Sequence, residues 1–172
     1  GGDYSLWVRT MKQVNWLPKI AINYCTGYQN PAVQKELAGD GDHFMGGMGY
    51  SPELAKKFMP EAIKIEAKYY TPRSNQPFDS DSIQEAVMLF VLAQAIEKAG
   101  SLDTEKVAQI LRTEEFPSVM SLSGTVKFEP GGQNIHALSV ITQIKDLDYK
   151  TVFPIKYQKA EPVFPMTPWD KR

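Results

Sequence analysis

SIQEAVMLFVLAQAIEKAG, residues 82–100, contains an unbroken apolar run from Ala86 to Ala93, and the apolar pattern resumes at Ala95, Ile96 and Ala99. An amphipathic surface helix shows one apolar stripe, whereas a helix that is apolar most of the way round must be enclosed. The residue types predict a helix, since Ala, Leu, Met, Glu, Gln and Lys are good formers. Ser82 offers an N-cap hydroxyl with Glu85 three positions on, and Gly100 suits a left-handed C-terminal position. The span of about 26 Å follows from 1.5 Å per residue. Gln94, Glu97 and Lys98 interrupt it, and a membrane span needs about 20 apolar residues. The expectation is a buried helix.

Working outward, Asp103 caps a helix through about Arg112, with Leu102 and Val107 in staple positions. Thr125–Glu129 alternates as a strand, Pro130-Gly131-Gly132 turns it, and Ala137–Ile144 and Thr151–Tyr157 read as two more. The tail 160–172 holds three prolines and reads as an extended surface segment. On the N-terminal side, Thr71–Asp81 is a polar loop with two prolines, long enough to suggest a function. Ser51-Pro52 starts a helix carrying Leu54, Phe58, Ile63 and Ala67, which Pro60 should kink or restart. Before it, Phe44–Tyr50 reads as a glycine-loosened strand. Asn30-Pro31 starts a helix ending at Gly39, and Lys19–Tyr24 reads as a strand with Ile20 and Ile22 on one side. A first helix capped at Asp3 or Ser5 places Leu6, Trp7, Met11 and Val14 on one face and stops at Trp16-Leu17-Pro18. The order α, β, α, β is the rhythm of a parallel sheet with crossover helices.

The totals describe an ordinary globular α/β chain: 172 residues, 42% hydrophobic, 23% charged, net charge −1. Scattered Lys and Arg give no footprint for nucleic acid. One cysteine and two histidines disfavour a disulfide framework or a His/Cys zinc site. Asp40, Asp42 and His43 cluster in the GDGD turn but lack the further oxygens of a calcium loop. Gly47-Met48-Gly49 fails as a dinucleotide fingerprint because Pro52 stands at its third glycine. Paired acids such as Glu114-Glu115 read as solvated charge at a helix end. Cys25 follows a predicted strand, where α/β proteins place site residues, although a buried inert thiol is the plainer reading. No catalytic constellation emerges, so the chain reads as a non-enzyme without a cofactor. The first residues carry no initiator Met and no export signal, as expected of a processed or truncated chain.

AQAIEKAGSLDTEKVAQILR (93–112), SGTVKFEPGGQN (123–134) and VFPIKYQKAEPVFPMTPWDKR (152–172) resemble the branched-chain amino-acid-type substrate-binding proteins of ABC importers. Residues 1–70 match that family in element order. The resemblance implies a type I periplasmic binding protein fold, with two Rossmann-like lobes of parallel sheet closing on a small ligand. Residues 1–50 and 135–172 would belong to the second lobe and 51–134 to the first. Family members are roughly twice as long, which implies a C-terminal piece that folds with an N-terminal half. The helix at 82–100 would then lack most of its sheet and leave an exposed apolar patch. A small-molecule ligand, an extracytoplasmic location and a membrane permease as partner are implied by the same resemblance.

Site residues carry over position by position. The family's acidic partner for a ligand ammonium falls at Thr26, or at Cys25 if the register slips. A neutral residue there implies a ligand without an α-amino group, or one that pairs it elsewhere. The family's aromatic contact falls at Phe78, and Asp79 or Asp81 either supplies the lost charge or caps the helix. Tyr24, Tyr28 and Tyr50 lie near strand ends or lobe crossings, as ligand contacts or as core. A ligand-sensing regulatory domain of the same fold is the first alternative, and an α/β enzyme with its site near Cys25 the second.

Overall fold

The computed structural model describes residues 2–172. In chain order its elements are α1 (Gly2–Gln13), β1 (Ile22–Asn23), α2 (Thr26–Gln29), α3 (Pro31–Leu37), β2 (Met45–Met48), α4 (Pro52–Phe58), α5 (Pro60–Ile65) and α6 (Thr71–Ser74), with a π-helical turn at Glu66–Tyr70. There follow α7 (Ser80–Ala99), α8 (Thr104–Thr113), β3 (Glu115–Pro117), β4 (Thr125–Lys127), β5 (Val140–Lys145) and β6 (Asp148–Phe153). The residues group into two compact units. A sheet unit runs to Met48 and resumes at Ser139–Arg172, and a helical unit is Gly49–Leu138.

The sheet unit is built on strands in the order β1-β2-β5-β6. Only β1 and β2 pair in parallel; β2–β5 and β5–β6 are antiparallel. The sheet is therefore mixed, and β5 and β6 run antiparallel because they are joined by Asp146-Leu147, both at positive φ (53° and 64°). That is the conformation of a type I′ hairpin turn, which returns the chain beside itself. β6 stops before Pro154 and so lies earlier than Thr151–Tyr157. β1 keeps two residues of the expected strand, and Ile20 and Ile22 are exposed.

One face of this sheet carries the core. α1 buries Tyr4, Val8 and Met11, the i, i+4, i+7 stripe of a helix. The expected face of Leu6, Trp7, Met11 and Val14 is corrected, since Leu6 and Val14 are exposed. Tyr4 and Tyr28 meet edge-on at 5.9 Å, and Tyr28 meets Tyr149 at 5.6 Å, arrangements that favour aromatic packing. The Tyr28 hydroxyl donates to the Thr142 carbonyl at 2.9 Å, and its own carbonyl accepts from Gln34 and Tyr149. α3 starts as expected, with the Asn30 side chain accepting from the Ala32 amide. Asp40 pairs with Lys12 at 2.7 Å, and His43 lies where burial lowers its pKa. The tail is anchored rather than draped: Met166 is buried and its amide donates to Lys19, while Arg172 lies over the Trp169 ring.

In the helical unit, Ser51 caps α4 by accepting from Leu54, and Pro60 restarts the chain as α5. Helix then continues through the π turn into α6, so the expected loop from Thr71 is corrected. Pro72 sits in the first turn of α6, where its missing N–H breaks no helical bond. α7 begins earlier than Ser82. Asp79 is the cap, accepting from the Ser82 amide at 2.8 Å, while the Ser82 hydroxyl accepts from the Asp79 amide at 2.9 Å. Ser82 is therefore the N3 partner of a reciprocal capping box and not its first residue. Gly100 ends the helix at φ 57°. Val91 and Ala95 pack with Val107 of α8 and with Phe116 and Val126 of the β3–β4 hairpin. Glu115 opens β3, and Glu114 pairs with Lys98 at 2.8 Å.

The expectation that α7 is wholly buried is corrected. Met88, Leu89, Phe90 and Leu92 are between 43% and 69% exposed. Beside them, Leu92, Ile96, Leu102, Val107 and Leu111 line an apolar groove of about 290 Å³ between α7 and α8. Among the described residues, no helix is long and apolar enough to cross a membrane.

Candidate functional site

At the C-terminal end of β1 the chain turns through Tyr24 and Cys25 into the short helix α2, whose first residue is Thr26. All three side chains are exposed. The Tyr24 ring lies across Gly47 of β2, where a Cβ would sit 2.4 Å from its Cδ2. Gly46, one residue earlier and facing the other side of the strand, leaves room for Tyr28 in the same way. The two glycines therefore seat a core tyrosine on one face and an exposed one on the other. Tyr28 is fully buried, which makes it core. Cys25 is exposed rather than a buried thiol, and its Sγ donates to Asn23 Oδ1 at 3.3 Å. The sequence from Trp16 to Lys35 contains no acidic residue. This corner offers hydroxyl, thiol and phenol groups and no carboxylate.

The helical unit gathers the remaining candidates around an aromatic cluster. Phe78 is 4% exposed; its ring meets Tyr70 at 4.4 Å and Tyr50 edge-on at 6.4 Å. Tyr50 is 1% exposed, and its hydroxyl donates to Glu66 Oε2 at 2.8 Å. Burial, reinforced by this carboxylate, pushes the Tyr50 phenol well above its ordinary pKa. Asp79 follows Phe78 directly, and its Oδ1 accepts from both the Ser82 amide and the Ser82 hydroxyl. Asp81 is exposed in the first turn of α7. Tyr50 and Phe78 are thus brought together as buried rings, with Asp79 next to Phe78 in the chain and Asp81 exposed two residues further on.

Two members of the cluster, Glu66 and Tyr70, escaped the sequence reading. They bracket the π turn, a geometry that sequence periodicity does not signal and that occurs often at functional sites. The one available signal was the Tyr69-Tyr70 pair ahead of the loop. Among the described residues no three His, Cys, Asp or Glu side chains converge as a metal site would require.

Superposition on solved structures shows the fold, that of the type I periplasmic binding proteins. A leucine-binding protein from Thermotoga maritima superposes with a TM-score of 0.69 and 19% identity, over 87% of this chain and 41% of its own. A protein described as a branched-chain amino acid ABC transporter, from Silicibacter pomeroyi, superposes with a TM-score of 0.64 and 20% identity, over 95% of this chain and 44% of its own. An ABC transporter substrate-binding protein from Desulfitobacterium hafniense, in complex with Leu, gives 0.53 and 16%, over 87% and 48%. The chain therefore spans between two fifths and one half of the solved structures it matches. No protein-family model matches the sequence.

Proposed function

We propose that the chain is the C-terminal portion of a solute-binding component of an ABC importer, which captures a small amino acid or related carboxylate and catalyses no reaction. The fold match to a leucine-binding protein over 87% of the chain carries this reading, and leucine is the first ligand to test. In this reading the sheet unit is part of the second lobe and the helical unit part of the first. Tyr24, Cys25 and Thr26 of the sheet unit, and Phe78 of the helical unit, are the residues this reading proposes as ligand contacts. Ligand contacts to both lobes would favour a closed state over an open one, and a membrane permease would read that state outside the cytoplasm. An N-terminal half would supply the sheet that covers Met88, Leu89 and Leu92, since exposed apolar faces of this kind mark interaction surfaces. The full-length protein should show a melting shift with one class of compound in a thermal-shift screen of amino acids, aromatic acids and short carboxylates. A screen without any shift would remove the proposal.

A further inference from the structure

We propose that residues 163–172 form an acid-released strap on the sheet unit, with His43 as the proton sensor that loosens it. Every group involved belongs to the sheet unit, and the strap is independent of the solute-binding reading. The strap is tied at three points. The buried side chain of Gln143 grips Val163 twice, accepting from its amide at 2.8 Å and donating to its carbonyl at 3.0 Å. The Met166 amide donates to the Lys19 carbonyl at 2.9 Å, and the Met166 side chain packs into the core. At the far end the Arg172 guanidinium lies over the rings of Trp169 at 4.3 Å and Phe44 at 5.5 Å. It also donates to the carbonyls of Thr167 and Asp40.

His43 is joined to both ends of the strap. Its carbonyl accepts at 3.0 Å from the same Gln143 amide that holds Val163, and its ring shares a charged cluster with Arg172. That cluster also contains Asp42 beside it in the chain, Lys145 at the end of β5 and Asp146 in the turn that follows. Asp40 is engaged by Lys12 at 2.7 Å. Two cations, Arg172 and Lys145, therefore face two carboxylates, Asp42 and Asp146, and a neutral imidazole leaves the cluster balanced. A proton on His43 adds a third positive charge. Nδ1 of His43 is buried and has no hydrogen-bond partner, and no carboxylate is within ion-pair reach of the ring among the described residues. The added charge is thus unpaired and partly desolvated, which is costly. Burial, opposed by Asp42 and reinforced by Arg172 and Lys145, accordingly lowers the His43 pKa. Loosening the strap withdraws Arg172 and admits water to the ring. The strap is therefore held above the ordinary histidine range and loosens as the pH falls through it.

The test is hydrogen exchange of the full-length protein at pH 7.5 and 5.5, read as protection factors so that the intrinsic pH dependence cancels. Protection of the Val163 and Met166 amides should fall at least about threefold at the lower pH. The Val107 amide of α8, which donates to Asp103 in the helical unit, should change less than about twofold by comparison. His43→Asn retains a side chain suited to the positive φ of 69° and should abolish the fall. Lys145→Gln removes one of the two cations from an exposed position, leaves the ties of the strap intact and should reduce the fall. No fall in wild type, an equal fall in His43→Asn, or an undiminished fall in Lys145→Gln would overturn the proposal.

Discussion

Gly46 and Gly47 are adjacent on β2, yet alanine at the two positions should have very different consequences. At Gly46 a Cβ would lie 2.5 Å from both Cδ1 and Cε1 of Tyr28 and 2.9 Å from the Asn23 carbonyl oxygen. The ring would have to retreat by about 1 Å to reach ordinary van der Waals distance. It has nowhere to go, being fully buried, tied by its hydroxyl to Thr142 and packed edge-on by Tyr4 and Tyr149. Overpacking of this kind costs about 1–3 kcal/mol, and the rigid partner puts Gly46→Ala near the top of that range. The lower entropy of the unfolded alanine chain returns about 0.5 kcal/mol, leaving a net loss of about 2.5 kcal/mol. At Gly47 the clash is as close, 2.4 Å, but it is with the ring of Tyr24, which is 66% exposed and can swing into solvent. Gly47→Ala should therefore stay within about 0.5 kcal/mol of wild type. Urea denaturation followed by tryptophan fluorescence reads the right part of the molecule, because Trp7, Trp16 and Trp169 all belong to the sheet unit. Similar losses at both glycines would refute the argument that the anchoring of the partner ring decides the cost.

Asp79→Ala removes the acceptor of the α7 capping box and should cost about 1 kcal/mol, read by circular dichroism during thermal unfolding, with Asp79→Asn retaining most of the stability. His43 has its pKa lowered by burial, so the unfolded chain takes up its proton at a higher pH than the folded one. Its contribution is therefore complete above about pH 6.5 and is lost as the pH falls through that value towards the depressed folded pKa. Melting temperatures at pH 7.5 and 5.5 should differ less in His43→Gln than in wild type. Leu92→Asp places a charge on the exposed face of α7 and in the wall of the α7–α8 groove. It should weaken association with a separately expressed N-terminal half by at least about tenfold in a pull-down titration, while Glu105→Gln on α8 should not.

Local chemistry was legible in the sequence. Asn30-Pro31 and Ser51-Pro52 start helices as read, because a cap and a proline act through their immediate neighbours. Gly100 ends α7 for the same reason. The start of α7 was misplaced because Asp79 and Ser82 are both cap-type residues three positions apart, and the reciprocal box uses each in a different role. Sheet direction was not legible, since the β5–β6 pairing depends on two positive-φ residues, Asp146 and Leu147, and leucine gives no turn signal. The exposure of α7 was harder still. Its apolar run predicted burial, and the structure buries Val91 and Ala95 while leaving Met88 and Leu89 in solvent, so composition alone did not separate the packed face of the helix from its exposed one. For the site, the family pattern led to Phe78 and its neighbours. Glu66 and Tyr70 came into view only through the π turn and the hydrogen bond from Tyr50.

Small-angle X-ray scattering of the full-length protein, with and without a saturating ligand from the thermal-shift screen, tests the central proposal most directly. Closure of two lobes around a solute predicts a smaller radius of gyration in the bound state. Superimposable scattering curves at full occupancy would contradict it.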